Sequence, residues 1–435
     1  MKPHFLVKLR RRTDVLHPFW GQAIRDKSGT TAGLLPAIDR LLNRHRVPVW
    51  VTAEYEPSGQ GWTPAEVGAG LDRVYRFVLK ENRTLPPQLL RAIRVLPQVD
   101  YAQLGQIVSV ELPQAMASSA VPRRRKTGSR ARASVGLDRA HRVHTRGERN
   151  ITIAVLDTGI DEDHPELRRS LMKGRGRDFV DIIDGASRFI GDYLGFDKSP
   201  QDDWVGHGTH VAGILGAAGI AMPVGVAPDC RILNVRVLGA LRQGDKIVGA
   251  GLENNINVAL KWAVDQGVDV VNMSLGIRHR GGGLPYRDVV DYARRKGVTI
   301  VAASGNDGTE ALYYPGALPY VITVGAVDET GDVAAFSTFG RQVDLIAPGT
   351  EIYSSFLKGG YAFSTGTSHA APFVAGSAAL LKSLGHRRRR SVSDAQVKHA
   401  LRHTSDKLDR RFKSRKGGYG RLNLPDALTF LNAHL

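Results

Sequence analysis

Residues 151–159 read Ile-Thr-Ile-Ala-Val-Leu-Asp-Thr-Gly, an apolar run that ends in an aspartate and a glycine. Five later runs share its length and its β-branched composition, at residues 231–238, 268–273, 298–303, 320–327 and 343–347. Short apolar runs bounded by Gly, Asp or Pro are typical of parallel strands buried on both faces. The apolar part of this stretch, residues 151–156, therefore predicts the first strand of a mainly parallel sheet.

Helical patterns separate these runs, at residues 207–217, 254–266, 286–296 and 368–384. Strands that alternate with helices at this spacing predict an α/β fold with helices on both faces of the sheet. Sites in such sheets form at the carboxyl ends of the strands. Asp157 follows the first predicted strand, so we expect it at a functional site.

A separate unit precedes the α/β region. Residues 47–55, 71–80 and 106–112 have strand patterns, and residues 86–96 have a helix pattern that starts with proline. We predict a small α+β domain over residues 1–115, a basic flexible linker over 116–135, and the α/β domain over 136–435. The linker is rich in Arg, Ser and Ala, which cannot bury a core.

Three residues are of the types that a serine hydrolase needs. Asp157 precedes Thr-Gly, His207 lies in Gly-His-Gly-Thr-His, and Ser368 lies in Gly-Thr-Ser-His-Ala-Ala-Pro. A serine hydroxyl becomes a nucleophile when an imidazole takes its proton, and a carboxylate orients that imidazole. Each residue alone is more often a cap or a turn residue. The order Asp, His, Ser in these contexts favours the catalytic interpretation.

These motifs resemble those of the subtilisin-like serine proteases, or subtilases, over residues 136–435. Further matching segments are Asn-Met-Ser-Leu-Gly at 272–276, Ala-Ser-Gly-Asn at 303–306 and Gly-Tyr-Gly-Arg-Leu-Asn at 418–423. The resemblance implies a peptidase in which Ser368 attacks, His207 moves the proton, Asp157 orients His207, and Asn306 donates to the oxyanion. It also implies that six residues bind the backbone of a polypeptide substrate: Ser274, Leu275, Gly276, Ala303, Ser304 and Gly305.

The resemblance has two further implications. The chemistry requires no cofactor, although family members often bind structural calcium, for which the clustered carboxylates are Asp161, Asp163, Asp202 and Asp203. The N-terminal unit, by its position and element order, is similar to the propeptide that inhibits many subtilases. The chain's own N-terminal domain is therefore the predicted intramolecular partner.

Substrate selectivity depends on the loop that follows Asn306. This loop carries Asp307 and Glu310. If either carboxylate faces the cleft, we expect cleavage next to Arg or Lys.

Charge is unevenly distributed along the chain, whose net charge is +18. Residues 1–135 carry +12, residues 382–421 carry +11, and the rest carry −5. Opposite charges favour docking of the N-terminal domain on the α/β domain. The basic region could also hold nucleic-acid phosphates. Only Phe412 and Tyr419 lie near it, so base stacking is not supported and we interpret the region as a solvated face.

The remaining composition limits the setting. Cys230 is the only cysteine, which excludes an intramolecular disulfide. The sequence shows no secretory signal pattern and no apolar run of membrane-spanning length, so we expect a cytoplasmic protein with no membrane partner. Two alternatives remain open: a peptide ligase or macrocyclase with the same triad, and a basic nucleic-acid-binding protein with secondary peptidase activity.

Overall fold

The protein folds into an N-terminal α+β domain followed by a larger α/β domain, as seen in a computed structural model. The structure describes residues 3–26, 33–81, 83–110, 129–180, 189–190, 203–243, 246–279 and 284–435. Most of the predicted linker, residues 116–128, lies outside this range.

The N-terminal domain is built on a four-stranded antiparallel sheet with the strand order β2-β3-β1-β4. Its described elements are β1 (His4–Leu9), α1 (Trp20–Asp26), α2 (Pro36–Arg44), β2 (Val49–Ala53), α3 (Pro64–Ala69), β3 (Val74–Leu79), α4 (Pro87–Arg94) and β4 (Val99–Leu104). Proline stands in the first turn of α2, α3 and α4, where its missing N–H is harmless.

The two faces of this sheet have different neighbours. Phe5 and Val7 of β1 pack in a core with residues of α2 and α4. Leu6, on the opposite face, belongs to a core cluster that continues into the larger domain. The N-terminal domain therefore has a core of its own and also shares one.

The larger domain contains a seven-stranded sheet with the order β17-β16-β14-β12-β6-β9-β7, in which every pair is parallel. The described elements after β4, in chain order, are β5 (Ile107–Val110), α5 (Ser129–Ser134), α6 (Leu137–Val143), β6 (Thr152–Asp157), β7 (Arg177–Asp178), β8 (Phe189–Ile190), α7 (His207–Gly216), β9 (Arg231–Arg236), β10 (Gly239–Gln243), β11 (Lys246–Leu252), α8 (Glu253–Asp265), β12 (Val270–Met273), β13 (Ile277–Arg278), α9 (Arg287–Arg295), β14 (Thr299–Ala303), β15 (Tyr313–Tyr314), β16 (Val321–Val327), β17 (Leu345–Pro348), β18 (Ile352–Phe356), β19 (Gly360–Ser364), α10 (Thr367–Arg387), α11 (Asp394–His403) and α12 (Leu424–His434).

Helices cover both faces of the parallel sheet. Alternate side chains of the central strand β6 enter two different cores: Ile153 and Val155 pack with residues of α7 and α10, whereas Ala154 and Leu156 pack with residues of α8 and α9. A strand buried on both faces needs apolar residues at every position. The predicted fold class is therefore confirmed, and all six predicted strands of this sheet form within one or two residues of the predicted bounds.

The strand β5 joins the two domains. It was predicted from residues 106–112 as the last strand of the N-terminal unit, of which 111 and 112 lie outside the described residues. It does not join the N-terminal sheet but pairs antiparallel with β11, with Val108 opposite Gly251 and Val110 opposite Gly249. The end of the N-terminal domain thus lies on the α/β domain.

The end of the predicted linker is not a loop. Residues 129–134 form the helix α5, and the Arg132 side chain is buried, where it donates to the Tyr353 carbonyl at 2.9 Å. The last part of the predicted linker is therefore ordered and packs one long side chain, that of Arg132, into the protein. The domain boundary at residue 115 stays a prediction.

Candidate active site

Asp157 and His207 meet at the carboxyl end of β6. Asp157 is the last residue of that strand, and His207 is the first residue of α7, after Gly206 with φ of 87°. His207 Nδ1 lies 2.7 Å from Asp157 Oδ1, which also accepts the Thr158 N–H at 2.8 Å. His207 Nε2 makes no hydrogen bond with any described residue. This nitrogen is the one that a general base would use.

The environment of His207 favours its charged form. Burial alone would lower the pKa of the imidazole, but the charge of Asp157, its hydrogen bond and the charge of Asp203 outweigh burial and raise the pKa. The pair is thus suited to stabilise a proton that His207 receives.

Asp203 holds the turn that presents His207. It accepts five hydrogen bonds: from the backbone N–H groups of Val205, Gly206 and Thr209 at 3.1, 2.8 and 3.0 Å, and from the hydroxyls of Thr158 and Thr209 at 2.9 and 2.6 Å. Because Thr158 follows Asp157, this single carboxylate connects the two neighbouring segments. Sequence reasoning treated it only as a calcium candidate, although its position four residues before His207 could have been informative.

Ser368 is the second residue of α10 and faces the cleft. Its Oγ donates to the Ser274 carbonyl at 3.0 Å, and its own carbonyl accepts from Ser274 Oγ at 2.7 Å. The second bond has a local cause: Pro372 lies four residues later and has no N–H to offer that carbonyl. Pro372 is the sixth residue of α10.

Asn306 stands opposite the start of α10. Its Oδ1 accepts from the Thr367 N–H and the Thr367 hydroxyl, both at 2.9 Å. These bonds use the oxygen and leave Nδ2 as a donor toward the cleft. The start of α10 adds backbone N–H groups that are not used within the helix. The arrangement can stabilise a developing negative charge on oxygen.

Two more histidines pack behind His207. The His369 ring lies 5.4 Å from that of His207 and 4.6 Å from that of His210. Burial lowers the pKa of His210 to about 3 and holds that of His369 well below its usual range. Both rings are therefore neutral packing partners, a role that the sequence motifs alone did not reveal.

The cleft beside Ser368 is lined by most of the predicted substrate-binding residues. Its lining residues include Ser274, Leu275, Gly276, Ala303, Gly305 and Asn306. Ser304 is an exception, since its side chain is buried and donates to the Thr338 carbonyl at 2.9 Å. Ser109 of β5 also lines the cleft, so the N-terminal domain reaches the candidate site.

The carboxylates considered for calcium do not form a site within the described residues. Asp163 pairs with Lys173 at 2.7 Å, Asp161 accepts the N–H groups of Asp163 and Gly359, and Asp203 is fully used by its five donors. Asp202 lies outside the described residues. In the described ranges no three His, Cys, Asp or Glu side chains come together in a way that could hold a metal ion.

The two acidic residues after Asn306 have separate positions. Asp307 lines the cleft, whereas Glu310 is exposed and pairs with Arg415 outside the cleft lining. Glu310 therefore cannot select substrates in the way that the sequence suggested.

Comparison with known proteins places this site in a family. The model of the subtilase family matches residues 148–420. A thermophilic serine proteinase from Bacillus sp. (strain AK1) is 38% identical over 291 residues, which are 66% of this chain and 63% of that protein. Subtilisin NAT from Bacillus subtilis subsp. natto is 31% identical over 81% of this chain and 82% of its own. The solved prenylagaramide maturation protease PagA is 29% identical, with a TM-score of 0.55, over 68% of this chain and 99% of its own.

A parallel sheet with an Asp–His pair at a strand end and a serine at a helix start defines the class of serine hydrolases with an α/β fold. The chain belongs to the subtilase family, which consists of subtilisin-like serine endopeptidases. No described helix is long and apolar enough to cross a membrane.

Proposed function

We propose that the protein hydrolyses peptide bonds by nucleophilic catalysis, with Asp157, His207 and Ser368 as the triad. The observation that supports this most strongly is the 2.7 Å contact between His207 Nδ1 and Asp157, which leaves His207 Nε2 without a partner among the described residues, in a ring 5.4 Å from that of His369, the residue after Ser368. In the first step, Ser368 Oγ turns from the Ser274 carbonyl toward His207 Nε2. It then attacks the substrate carbonyl carbon while His207 takes its proton.

The charge that develops on the carbonyl oxygen is met by Asn306 Nδ2 and the Ser368 N–H. His207 next passes its proton to the leaving amine, and the acyl group stays on Ser368. Water then attacks the acyl carbon, gives a proton to His207 and releases the acid, which restores the hydroxyl. Asp157 keeps the imidazole in the tautomer and orientation that these steps need.

We further propose that the N-terminal domain inhibits the enzyme until the chain is cut between the domains. Three observations support this: β5 pairs with β11, Ser109 lines the cleft, and one core cluster includes residues of both domains. The match to subtilisin NAT covers more of the chain than residues 136–435 can supply, so it extends into the N-terminal domain. The predicted cytoplasmic location stays a prediction.

The intact mass of the purified protein tests both proposals. We expect the wild type to shorten to about 300 residues, the size of the α/β domain, while Ser368→Ala stays full length. The variant should lose peptidase activity by on the order of 10⁶, the loss known for subtilisins themselves. Ser377→Ala, another buried serine of α10, is the matched control and should behave as the wild type.

Two results would count against the assignment. A Ser368→Ala variant that keeps a tenth of the activity would exclude Ser368 as the nucleophile. A wild type that is active yet stays full length, and is not inhibited by the added N-terminal domain, would remove the inhibitory role.

The similarity to PagA suggests a second candidate, processing of one precursor polypeptide. PagA is a prenylagaramide maturation protease. A ligase that uses an amine in place of water remains a variant of the same chemistry. The product mass separates these outcomes, because hydrolysis adds one water and ligation does not.

A further inference from the structure

Tyr313 spans the cleft beside Ser368 from one wall to the other. A Cβ placed on Gly305 would lie 2.6 Å from Cδ2 of the Tyr313 ring, and a Cβ placed on Gly276 would lie 3.4 Å from Cδ1. Gly276 and Gly305 follow the neighbouring strands β12 and β14, and both line the cleft. The ring therefore fills the space between them, and glycine is needed at residue 305 to admit it.

The ring is held in this position by the strand pairing of Tyr313 and by a hydrogen bond of its hydroxyl to Asp307, which Arg278 also contacts. Tyr313 lies in β15, where it is paired with Arg278 of β13. Its hydroxyl donates to Asp307 Oδ1 at 2.8 Å. Arg278 lies 3.5 Å from Asp307 Oδ2, so both oxygens of this carboxylate already have partners. Rotation of the ring out of the cleft would cost the hydrogen bond to Asp307.

The position of the cleft identifies which part of a substrate meets this ring. The reacting carbonyl carbon must lie near Ser368 Oγ, with its oxygen toward Asn306. The side chain of the same residue starts two bonds from that carbon, at Cβ. Since Tyr313, Asn306 and Ser368 line one cleft, this side chain points toward the Tyr313 ring.

We propose that Tyr313 is the specificity-determining residue that limits this pocket to short side chains, such as those of Ala and Ser, on the acyl side of the cleaved bond. The inference rests on the proposed peptidase function. A large side chain would meet a ring that is fixed at both walls and would have to displace it. Arg and Lys gain little, because Arg278 already neutralises Asp307.

The test compares kcat/KM for peptides that differ only in the acyl-side residue, Ala, Phe or Arg. We expect the wild type to prefer Ala. Tyr313→Gly should raise the ratio of Phe to Ala by about tenfold or more, the range typical of pocket-size changes. The ratio comes from one enzyme sample, so it does not depend on the folded fraction. Tyr313→Phe keeps the ring but loses its hydrogen bond to Asp307, so its ratio of Phe to Ala should lie between those of the wild type and Tyr313→Gly.

A wild type that prefers Phe or Arg, or a Tyr313→Gly ratio equal to that of the wild type, would overturn the inference. If the glycine variant does not fold, Tyr313→Ala repeats the measurement. Failure of the proposed function itself has a different signature: no variant cleaves any of the peptides, and a fluorophosphonate does not label Ser368.

Discussion

Asp203 shows how one buried carboxylate can position His207, the proposed catalytic base, without lining the cleft. Its five donors lie in the turn before α7, in the first turn of α7 and in the residue after Asp157. An asparagine in its place would offer one oxygen and would turn an NH₂ group toward N–H donors. The turn would then lose several charge-assisted hydrogen bonds.

We therefore expect Asp203→Asn to lower kcat by on the order of 10- to 100-fold, because small displacements of catalytic groups have this effect. The variant should also change the pH profile. The negative charge of Asp203 raises the pKa of His207, so its removal lowers that pKa and moves the acidic limb of the kcat profile to lower pH. Asp163→Asn, at an exposed carboxylate, should change neither quantity. An unchanged acidic limb would contradict the electrostatic part of this role.

At the level of elements, Glu166 organises the loop that follows α7. This buried carboxylate accepts four consecutive backbone N–H groups, those of residues 219, 220, 221 and 222, at 2.8, 2.9, 2.6 and 3.2 Å. Tyr361 adds a fifth contact at 3.3 Å. The loop therefore folds around the carboxylate of Glu166.

Glu166→Gln should destabilise the protein, because the neutral amide can accept only part of these bonds and leaves buried N–H groups unpaired. We expect a loss of about 2 kcal/mol or more in the free energy of unfolding. Thermal unfolding of chains that also carry Ser368→Ala, which prevents self-digestion, measures the change. Glu329→Gln, at an exposed glutamate, should leave the melting temperature unaltered, and an equal melting temperature for Glu166→Gln would refute the argument.

The sequence predicted the elements of the parallel sheet well because a strand buried on both faces has an unbroken apolar run, as in β6. It failed for β1, whose six residues are all buried although His4 and Lys8 are polar. Both side chains have partners in the other domain, Asn254 at 2.8 Å for His4 and Asp288 at 2.7 Å for Lys8, and Lys8 also donates to the Ala69 carbonyl at 3.3 Å. No local pattern could show those contacts.

The residues of the candidate site also fall into two groups: those that a local motif identifies and those whose role only the folded structure shows. Local motifs carry Asp157, His207, Ser368 and Asn306. The role of Tyr313 depends on how closely the two cleft walls approach each other, which sequence spacing does not give. Asp203 was noticed for its charge, but its five donors become visible only when the turn is folded.

At the scale of the whole molecule, the two domains share a buried surface with charged groups inside it. In one ion pair Lys8 of the N-terminal domain contacts Asp288 of the α/β domain. In a second pair, at 2.7 Å, the charges are reversed: Lys261 of the α/β domain contacts Glu66 of the N-terminal domain. Each domain thus supplies one cation and one anion. Arg76 of the N-terminal domain, paired with Glu54, also donates to Asn255 at 3.1 Å. Salt screens buried ion pairs only weakly. The net charges of the two domains therefore affect how fast the domains meet more than how stably they stay docked.

Glu253 makes this interface sensitive to pH. It is the first residue of α8 and is fully buried. Burial raises its pKa to about 7, the charge of Glu54 adds to the rise, and Asn257 opposes it. The other ionisable groups that face it are Tyr55 and Tyr286, which stay neutral because burial raises their pKa values.

An exposed glutamate has a pKa of about 4.3, so the buried form binds its proton more tightly. Protonation of Glu253 therefore stabilises the folded protein. This contribution to the free energy of unfolding is complete below about pH 4.3 and is lost as the pH rises through about 7. It amounts to on the order of 3 kcal/mol. We expect Glu253→Gln, in the Ser368→Ala background, to raise the melting temperature more at pH 8 than at pH 5. Glu329→Gln serves as the control, and an equal effect of Glu253→Gln at both pH values would exclude Glu253 as the titrating group.

The buried Arg132 has a consequence for the length of the working enzyme. Its guanidinium lies inside the α/β domain, and burial lowers its pKa to about 10. A chain that began after this residue would leave an empty space beside the Phe373 ring and an unsatisfied carbonyl at Tyr353. The first amino acid of a stable shortened chain must therefore come before Arg132. If the chain is cut as proposed, α5, which the sequence assigned to a flexible linker, is the N-terminal anchor of the shortened chain.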